Sequence, residues 1–331
     1  MRIAVTGATG YIGAHSAKAL LAAGHQLRLL IHPAEHPEKS LGALDIRPTD
    51  YAAVVGDVRD SAVVAALLTG CDAVLHAAGI VGVDDRREAL MWQVNTQATA
   101  TLLTRAVGLG LDPIVHVASY SALFPCPDPV IGPDSPTADG RSAYGRTKSA
   151  ADRIARALQA GGAPVVITYP SSVIGPAAGT QRGITATGWA GMLRYGVAPV
   201  FDGGMAMIDV RDVADVHAAV MRPGQGPRRY VCGGVMVPFA TLVDLLEEGN
   251  GRRIRRLPVS KGAMKALGRA CDLAAKVLPV SPGISYEAVW LLTTATPTDD
   301  SRTLTELGLS WRPVRQALLD TFPTPSERTM R

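Results

Sequence analysis

Tyr144 and Lys148 stand four positions apart in Tyr144-Gly-Arg-Thr-Lys148, so a helical segment here would set a phenol and an ammonium one above the other on one face. A free tyrosine ionises near about 10, too high for proton exchange at neutral pH, and a nearby ammonium lowers that value by favouring the phenolate. The pair is therefore expected to act as a general acid or base. The same spacing also occurs in exposed helix pairs, so its setting has to give it meaning. Upstream, Val115-His116-Val117-Ala118-Ser119-Tyr120-Ser121 reads as a strand running into a turn rich in hydroxyls. Either Ser119 or Ser121 could hydrogen-bond a substrate carbonyl, and Ser119 is preferred because it is nearer the strand end. Asn95 falls inside a helical stretch although it is a poor helix former. Its amide must find partners, either bending the helix or holding the water of a proton relay.

A second constellation lies at the amino terminus. Thr6-Gly7-Ala8-Thr9-Gly10-Tyr11-Ile12-Gly13 follows a short apolar strand and opens a helix. Gly7 suits a tight turn, Gly10 admits a pyrophosphate close to the backbone, and Gly13 lets helix and sheet approach, with the positive helix end facing the diphosphate. A dinucleotide site reads the adenosine ribose at the end of the next strand. Here that strand ends Leu30-Ile31-His32 without an acid. His32 and Lys39 favour the extra phosphate of NADP(H), while Glu35 keeps NAD(H) open. Asp57 and Val58, ending a third strand, are placed for the adenine amino group, and the small Ala77-Ala78-Gly79 run leaves room for the cofactor.

The elements that must position these groups are legible as alternating apolar runs. Strands are expected at Ile3–Thr6, Gln26–Ile31, Ala52–Val55, Ala73–His76, Ile114–Ala118 and Val165–Tyr169, and helices at Ile12–Ala23, Ala62–Leu68, Leu90–Leu109 and Tyr144–Ala160. This rhythm predicts an α/β fold, a Rossmann-like doubly wound parallel sheet, over residues 1–170. Residues 171–331, broken by proline and glycine, are expected to form mostly a smaller substrate-binding lobe, with about 205–233 returning to the first unit. A further helix is expected over Ser260–Leu278, its buried face carrying Met264, Leu267, Ala270, Cys271, Ala274, Val277 and Leu278, and a polar tail over Thr324–Arg331.

The chain has 331 residues, enough for roughly two units at about 150 residues each. With 47% hydrophobic and 19% charged residues it can bury a core, which excludes a disordered chain. Its net charge of +4 comes without a basic run, so nucleic acid is not an expected partner. No apolar stretch is long enough for a membrane span, and four scattered cysteines encode neither a metal cage nor a disulfide framework, so a cytoplasmic location with free thiols is expected.

Taken in order, Thr6-Gly-x-x-Gly-x-x-Gly13, Gly56-Asp57-Val58, His76-Ala-Ala-Gly79, Ser119 ahead of Tyr144-x-x-x-Lys148, Tyr169-Pro170-Ser-Ser-Val-Ile-Gly175-Pro176 and Asp209-Val-Arg-Asp-Val-Ala-Asp-Val-His217 resemble the extended short-chain dehydrogenases/reductases of the epimerase/dehydratase-like superfamily. The match covers about residues 1–220 and, weakly, Thr298–Phe322. The resemblance implies that Tyr144 is the acid/base, Lys148 holds the nicotinamide ribose and tunes Tyr144, Ser119 polarises the carbonyl, Asn95 serves the proton relay, and Pro170 and Val173 shape the nicotinamide pocket. Two positions depart from the family pattern: Tyr169 stands where arginine is usual, and Ala118 where a serine or threonine is common. The loop through Pro176 and the run Gly203–Asp209 look more like the dihydroflavonol-reductase and 3β-hydroxysteroid-dehydrogenase-like branch. That implies an NAD(P)H-dependent carbonyl reductase or alcohol dehydrogenase with an apolar small-molecule substrate. Trp189, Met192, Leu193, Phe201, Met205 and Met207 could supply the apolar surface or could simply be lobe core. The alternatives are a nucleotide-sugar epimerase/dehydratase with tightly held NAD and a non-catalytic NADP(H)-sensing protein. Helices Leu90–Leu109 and Tyr144–Ala160 are candidates for a homodimer contact.

Overall fold

Strand β1 (Arg2–Thr6) shows why the sheet lies in the middle of the chain: Ile3 and Val5 enter the apolar core on one face, Ala4 enters that on the other, and all three are fully buried. A strand covered on both faces reads as an unbroken apolar run, and such strands pair in parallel. The computed structural model describes residues 1–82, 85–275 and 286–322.

β2 (Gln26–Ile31), β3 (Tyr51–Val55), β4 (Ala73–His76), β5 (Ile114–Val117), β6 (Val165–Pro170) and a later strand, β10 (Arg228–Cys232), complete a seven-stranded parallel sheet in the order β10-β6-β5-β4-β1-β2-β3. The six expected strands match to within a residue at each end, and the seventh lies in the segment expected to return. The order reverses between β1 and β4, so the glycine-rich turn and Ala77–Gly79 open into one crevice at the carboxyl edge.

Helices α1 (Tyr11–Ala22) and α8 (Val210–Ala219) cover one face. α2 (Ser61–Leu68), α4 (Thr99–Gly108) and α5 (Ala143–Ala160) cover the other. The expected helix Leu90–Leu109 is really three joined pieces: α3 (Glu88–Met91), a π-helical stretch Trp92–Ala98 that contains Asn95, and α4.

Outside the main sheet, β7 (Ser172–Ile174), β9 (Gly204–Asp209) and β11 (Val235–Pro238) form a three-stranded sheet. β8 (Val197–Val200) pairs with β12 (Arg255–Pro258). With α6 (Ile184–Gly188), α7 (Ala190–Tyr195), α9 (Phe239–Asn250), α10 (Lys261–Ala275), α11 (Tyr286–Thr294) and α13 (Val314–Leu319) they surround a third core. The remaining helix, α12 (Ser301–Leu307), packs on β10. Trp189, Phe201 and Met207 are buried in that third core, with Met192 and Leu193 packed against it, which is the lobe-core alternative of the sequence reading; Met205 alone of the set lines the cleft. The face of α10 also differs. Met264 is buried, but Leu267, Ala270 and Ala274 are exposed, because α10 packs chiefly on the short α11 and one narrow stripe suffices. Val277, Leu278 and the tail from Thr324 lie outside the described residues.

Candidate active site

A cleft of about 470 Å³ runs from the glycine-rich turn to the end of β5. It brings together Gly7, Gly10, Tyr11, Ile12, Gly13, Ala77, Gly79, Ser119, Tyr144, Pro170 and Val173. Ser121 is on its wall too. Thr6, Asn95 and Lys148 sit behind that wall as buried groups. His32, Lys39, Asp57 and Val58 are not in the lining.

The turn is as tight as its glycines suggest. Gly7 has φ +70°, and a Cβ there would meet the Ala77 and Ala78 backbone at 2.6–2.8 Å. At Gly13 a Cβ would fall 1.9 Å from the Gly7 carbonyl oxygen. Thr6 Oγ1 lies 2.7 Å from His76 Nδ1 and accepts from the Ala78 N–H at 3.2 Å, which ties the ends of β1 and β4 together. His76 Nε2 contacts Thr99 Oγ1 at 2.8 Å, and burial together with Lys148 lowers its pKa to about 3, so the ring is a neutral strut. α1 begins at Gly10 with no side-chain cap, leaving first-turn N–H groups for an outside acceptor, and the buried Thr9 hydroxyl has no partner. These features fit the diphosphate of a dinucleotide.

Three tyrosines line the cleft, and burial raises the phenol of each. Tyr11 is pushed far up by burial and by Asp209. Tyr120 is pushed up to about 12 by burial, and its hydroxyl is held at 2.9 Å by both the carbonyl and the N–H of Thr296. Tyr144 stands in the first turn of α5, whose N-cap Ser142 accepts from Gly145 N–H at 3.1 Å. Burial raises its phenol as well, opposed by a hydrogen bond with the Ser119 side chain. Ser119 is oriented as the cap of a short 3₁₀ turn, its Oγ accepting from the Ser121 N–H at 3.1 Å. Ser121 thus supplies backbone to Ser119, and Ser119 and Tyr144 line the same cleft.

The causes of the Tyr144 shift are burial and Ser119, and the direct contact of Lys148 is with backbone. One turn along α5, Lys148 turns inward and donates to the Val117 carbonyl at 3.1 Å. Burial lowers its own pKa to about 8. It closes in behind Gly79, where a Cβ would lie 3.7 Å from its Nζ and 3.3 Å from Asn95 Oδ1. Asn95 accepts from the Ile80 N–H at 2.8 Å and donates to the Ile80 carbonyl at 3.0 Å and to Thr147 Oγ1 at 3.1 Å. The π-helical stretch turns this amide onto two neighbouring segments.

Tyr169 faces away from the cleft, donating to Asp152 Oδ1 at 2.7 Å and accepting from Arg156 at 3.0 Å. It braces α5 from behind. At the end of β2, His32 Nε2 lies 3.6 Å from Asp57, whose carboxyl is held at about 2 chiefly by hydrogen bonds from Arg59. Glu35 accepts from the His32 N–H at 3.0 Å, and the exposed Lys39 offers its carbonyl to Thr180 N–H at 3.2 Å.

Sequence reasoning missed the opposite wall: Gln181, Arg182, Ile184, Thr185, Thr187, Leu291 and Ala295. Its one available signal was the spacing of Gly175, Gly179 and Gly183, which mark a strap pressed against other backbone. A Cβ at Gly179 would lie 1.8 Å from the Lys39 carbonyl oxygen, and one at Gly183 2.8 Å from the Tyr11 ring.

This fold and crevice define a dinucleotide-dependent enzyme of the extended short-chain dehydrogenase/reductase type. The chain belongs to the NAD dependent epimerase/dehydratase family, whose model matches residues 3–233. It is 29% identical to sterol demethylase protein B of Methylococcus capsulatus over the whole length of both chains. It is 27% identical to a putative dihydroflavonol 4-reductase of Synechocystis, covering 96% of this chain and 92% of that one. The UDP-glucose 4-epimerase of Bifidobacterium longum, solved with NAD+ and UDP, shares the fold with a TM-score of 0.75 at 19% identity, covering 97% and 96% of the two chains. No helix among the described residues is long and apolar enough to cross a membrane.

Proposed function

We propose that this enzyme interconverts an apolar ketone and its alcohol, with Tyr144 as general acid/base, Ser119 as the hydroxyl that orients the carbonyl, and NADP(H) as the favoured cofactor. The carrying observation is that Ser119 and Tyr144 line one cleft, which continues to the uncapped end of α1.

Bound there, the nicotinamide would give or accept the hydride. Ser119 holds the substrate oxygen beside the phenol, and Tyr144 delivers the proton to that oxygen in reduction or removes it in oxidation. The Ser119 hydroxyl favours the Tyr144 phenolate, countering burial. Lys148, fixed on the Val117 carbonyl behind Gly79, and Asn95, anchored to Ile80, form the floor that would receive the nicotinamide ribose and pass a proton inward. The cofactor preference rests on His32 at the end of β2, where both neighbouring carboxylates are already engaged, Asp57 by Arg59 and Glu35 by the His32 N–H.

The cleft favours an apolar substrate: Ile184, Met205, Leu291 and Ala295 are on its wall, and no acidic residue is among the lining side chains.

Purified protein should oxidise NADPH with an apolar ketone, and Tyr144→Phe should lose at least about a thousandfold in turnover while binding NADP+ within about threefold of the wild type. Undiminished turnover in that variant refutes the assignment.

A further inference from the structure

Among the described residues lining the cleft, one side chain carries a formal charge: Arg182. It is exposed to the cleft, it lies on the strap, and no carboxylate shares the lining with it. An arginine on this wall with no carboxylate beside it leaves its guanidinium open to an anionic ligand.

The strap determines which end of the cleft Arg182 serves. At its start, His15 Nε2 of α1 lies 3.0 Å from the Pro176 carbonyl oxygen. In the middle, Ala178 and Gln181 exchange backbone hydrogen bonds at 3.0 and 2.9 Å, and Thr180 N–H donates to the Lys39 carbonyl. At its end, Gly183 rests on the Tyr11 ring and the Val173 carbonyl, where a Cβ would lie 2.8 and 2.9 Å away. Tyr11 is the first residue of α1, so the strap crosses the glycine-rich turn and Arg182 is the residue immediately before its last anchor. The first turn of α1 itself carries no charged side chain and offers a ligand only backbone N–H groups.

We propose that Arg182 clamps the diphosphate of a dinucleotide seated on the glycine-rich turn, so that the anion is held from below by the end of α1 and from above by a guanidinium. The inference rests on the oxidoreductase reading only in needing a dinucleotide at this turn. It assigns to the strap a role in cofactor affinity that is indifferent to the 2′-phosphate and to the substrate.

Calorimetric titration of wild type, Arg182→Ala and Arg182→Lys with ADP, NAD+ and NADP+ at low and high salt tests it without any turnover. Loss of one charge-assisted contact should weaken all three ligands in the alanine variant by a common factor of about ten. The factor should shrink at high salt, because the contact is open to solvent, and lysine should recover part of it. The melting temperature should stay within about 1 °C of wild type, since the side chain makes no internal contact that folding would miss. A loss confined to NADP+ would put the guanidinium at the ribose phosphate. Unchanged nucleotide affinities would remove it from the dinucleotide altogether. Either result overturns the proposal. Tyr144→Phe, titrated in parallel, separates this inference from the functional reading: its retained turnover sinks the acid/base assignment and leaves the Arg182 result standing, whereas a silent Arg182→Ala leaves the acid/base assignment intact.

Discussion

Replacing Lys148 by methionine should destroy activity and make the protein more stable. Lys148 is 6% exposed, and its ammonium has one hydrogen bond, to the Val117 carbonyl. Burial lowers its pKa from 10.5 to about 8, which at 1.36 kcal/mol for each tenfold change means that holding the charge in the fold costs about 3 kcal/mol. Methionine fills similar volume without charge. It forfeits the Val117 bond, worth about 1 kcal/mol, so the net gain at neutral pH should be about 2 kcal/mol. The pH dependence follows from linkage. Between the folded value near 8 and the unfolded value of 10.5, the unfolded chain binds more protons than the native one, so wild-type stability rises with pH. The advantage of the variant is thus full below pH 8 and fades toward pH 10.5. Urea unfolding of both proteins at several pH values measures it, beside NADPH oxidation for activity. A methionine variant less stable than wild type at pH 7, or an advantage that does not change with pH, would refute the claim that a stored desolvation cost sits under the catalytic helix.

Other outcomes follow from the same contacts. Ser119→Ala should lower kcat by about a hundredfold or more through loss of the hydroxyl beside Tyr144, whereas Ser121→Ala, which keeps its backbone N–H, should change kcat less than about threefold; the reverse order would transfer the role to Ser121. Gly13→Ala should destabilise the fold by more than about 3 kcal/mol in urea unfolding, because its methyl would overlap the Gly7 carbonyl and backbone cannot move aside cheaply. Asp152→Ala removes the fully buried carboxylate that holds Arg156, Tyr169 and Thr137, and should cost about 3–5 kcal/mol in the same assay.

What could be read in the sequence divides along a physical line. Strands buried on both faces announce themselves by composition, which is why β2 and β4 matched residue for residue and why Gly7, Gly13, Ser119 and Tyr144 meet where the crossover in strand order requires. Asn95 was recognisable as a misfit in a helix, and the π-helical turn is the local answer to that misfit. Lys148 was legible as lying one turn from Tyr144 on α5 but not in its direction. Spacing along a helix fixes where Cβ atoms lie, while the end of a four-carbon chain goes to the acceptor within reach, here the Val117 carbonyl. The opposite wall was invisible for a stronger reason. Gly183 and Arg182 acquire meaning only when the strap returns over Tyr11, a contact between positions more than 150 residues apart that no local periodicity encodes. Tyr169 makes the same point from the other side. Judged by its neighbour Pro170 it belongs to the cleft, yet the alternation of β6 sends its ring to α5, where Asp152 and Arg156 wait for the hydroxyl. Tyr169 therefore bears on the rigidity of the helix that carries Tyr144 rather than on the cleft, and substitutions there should be read first in stability and only through it in turnover.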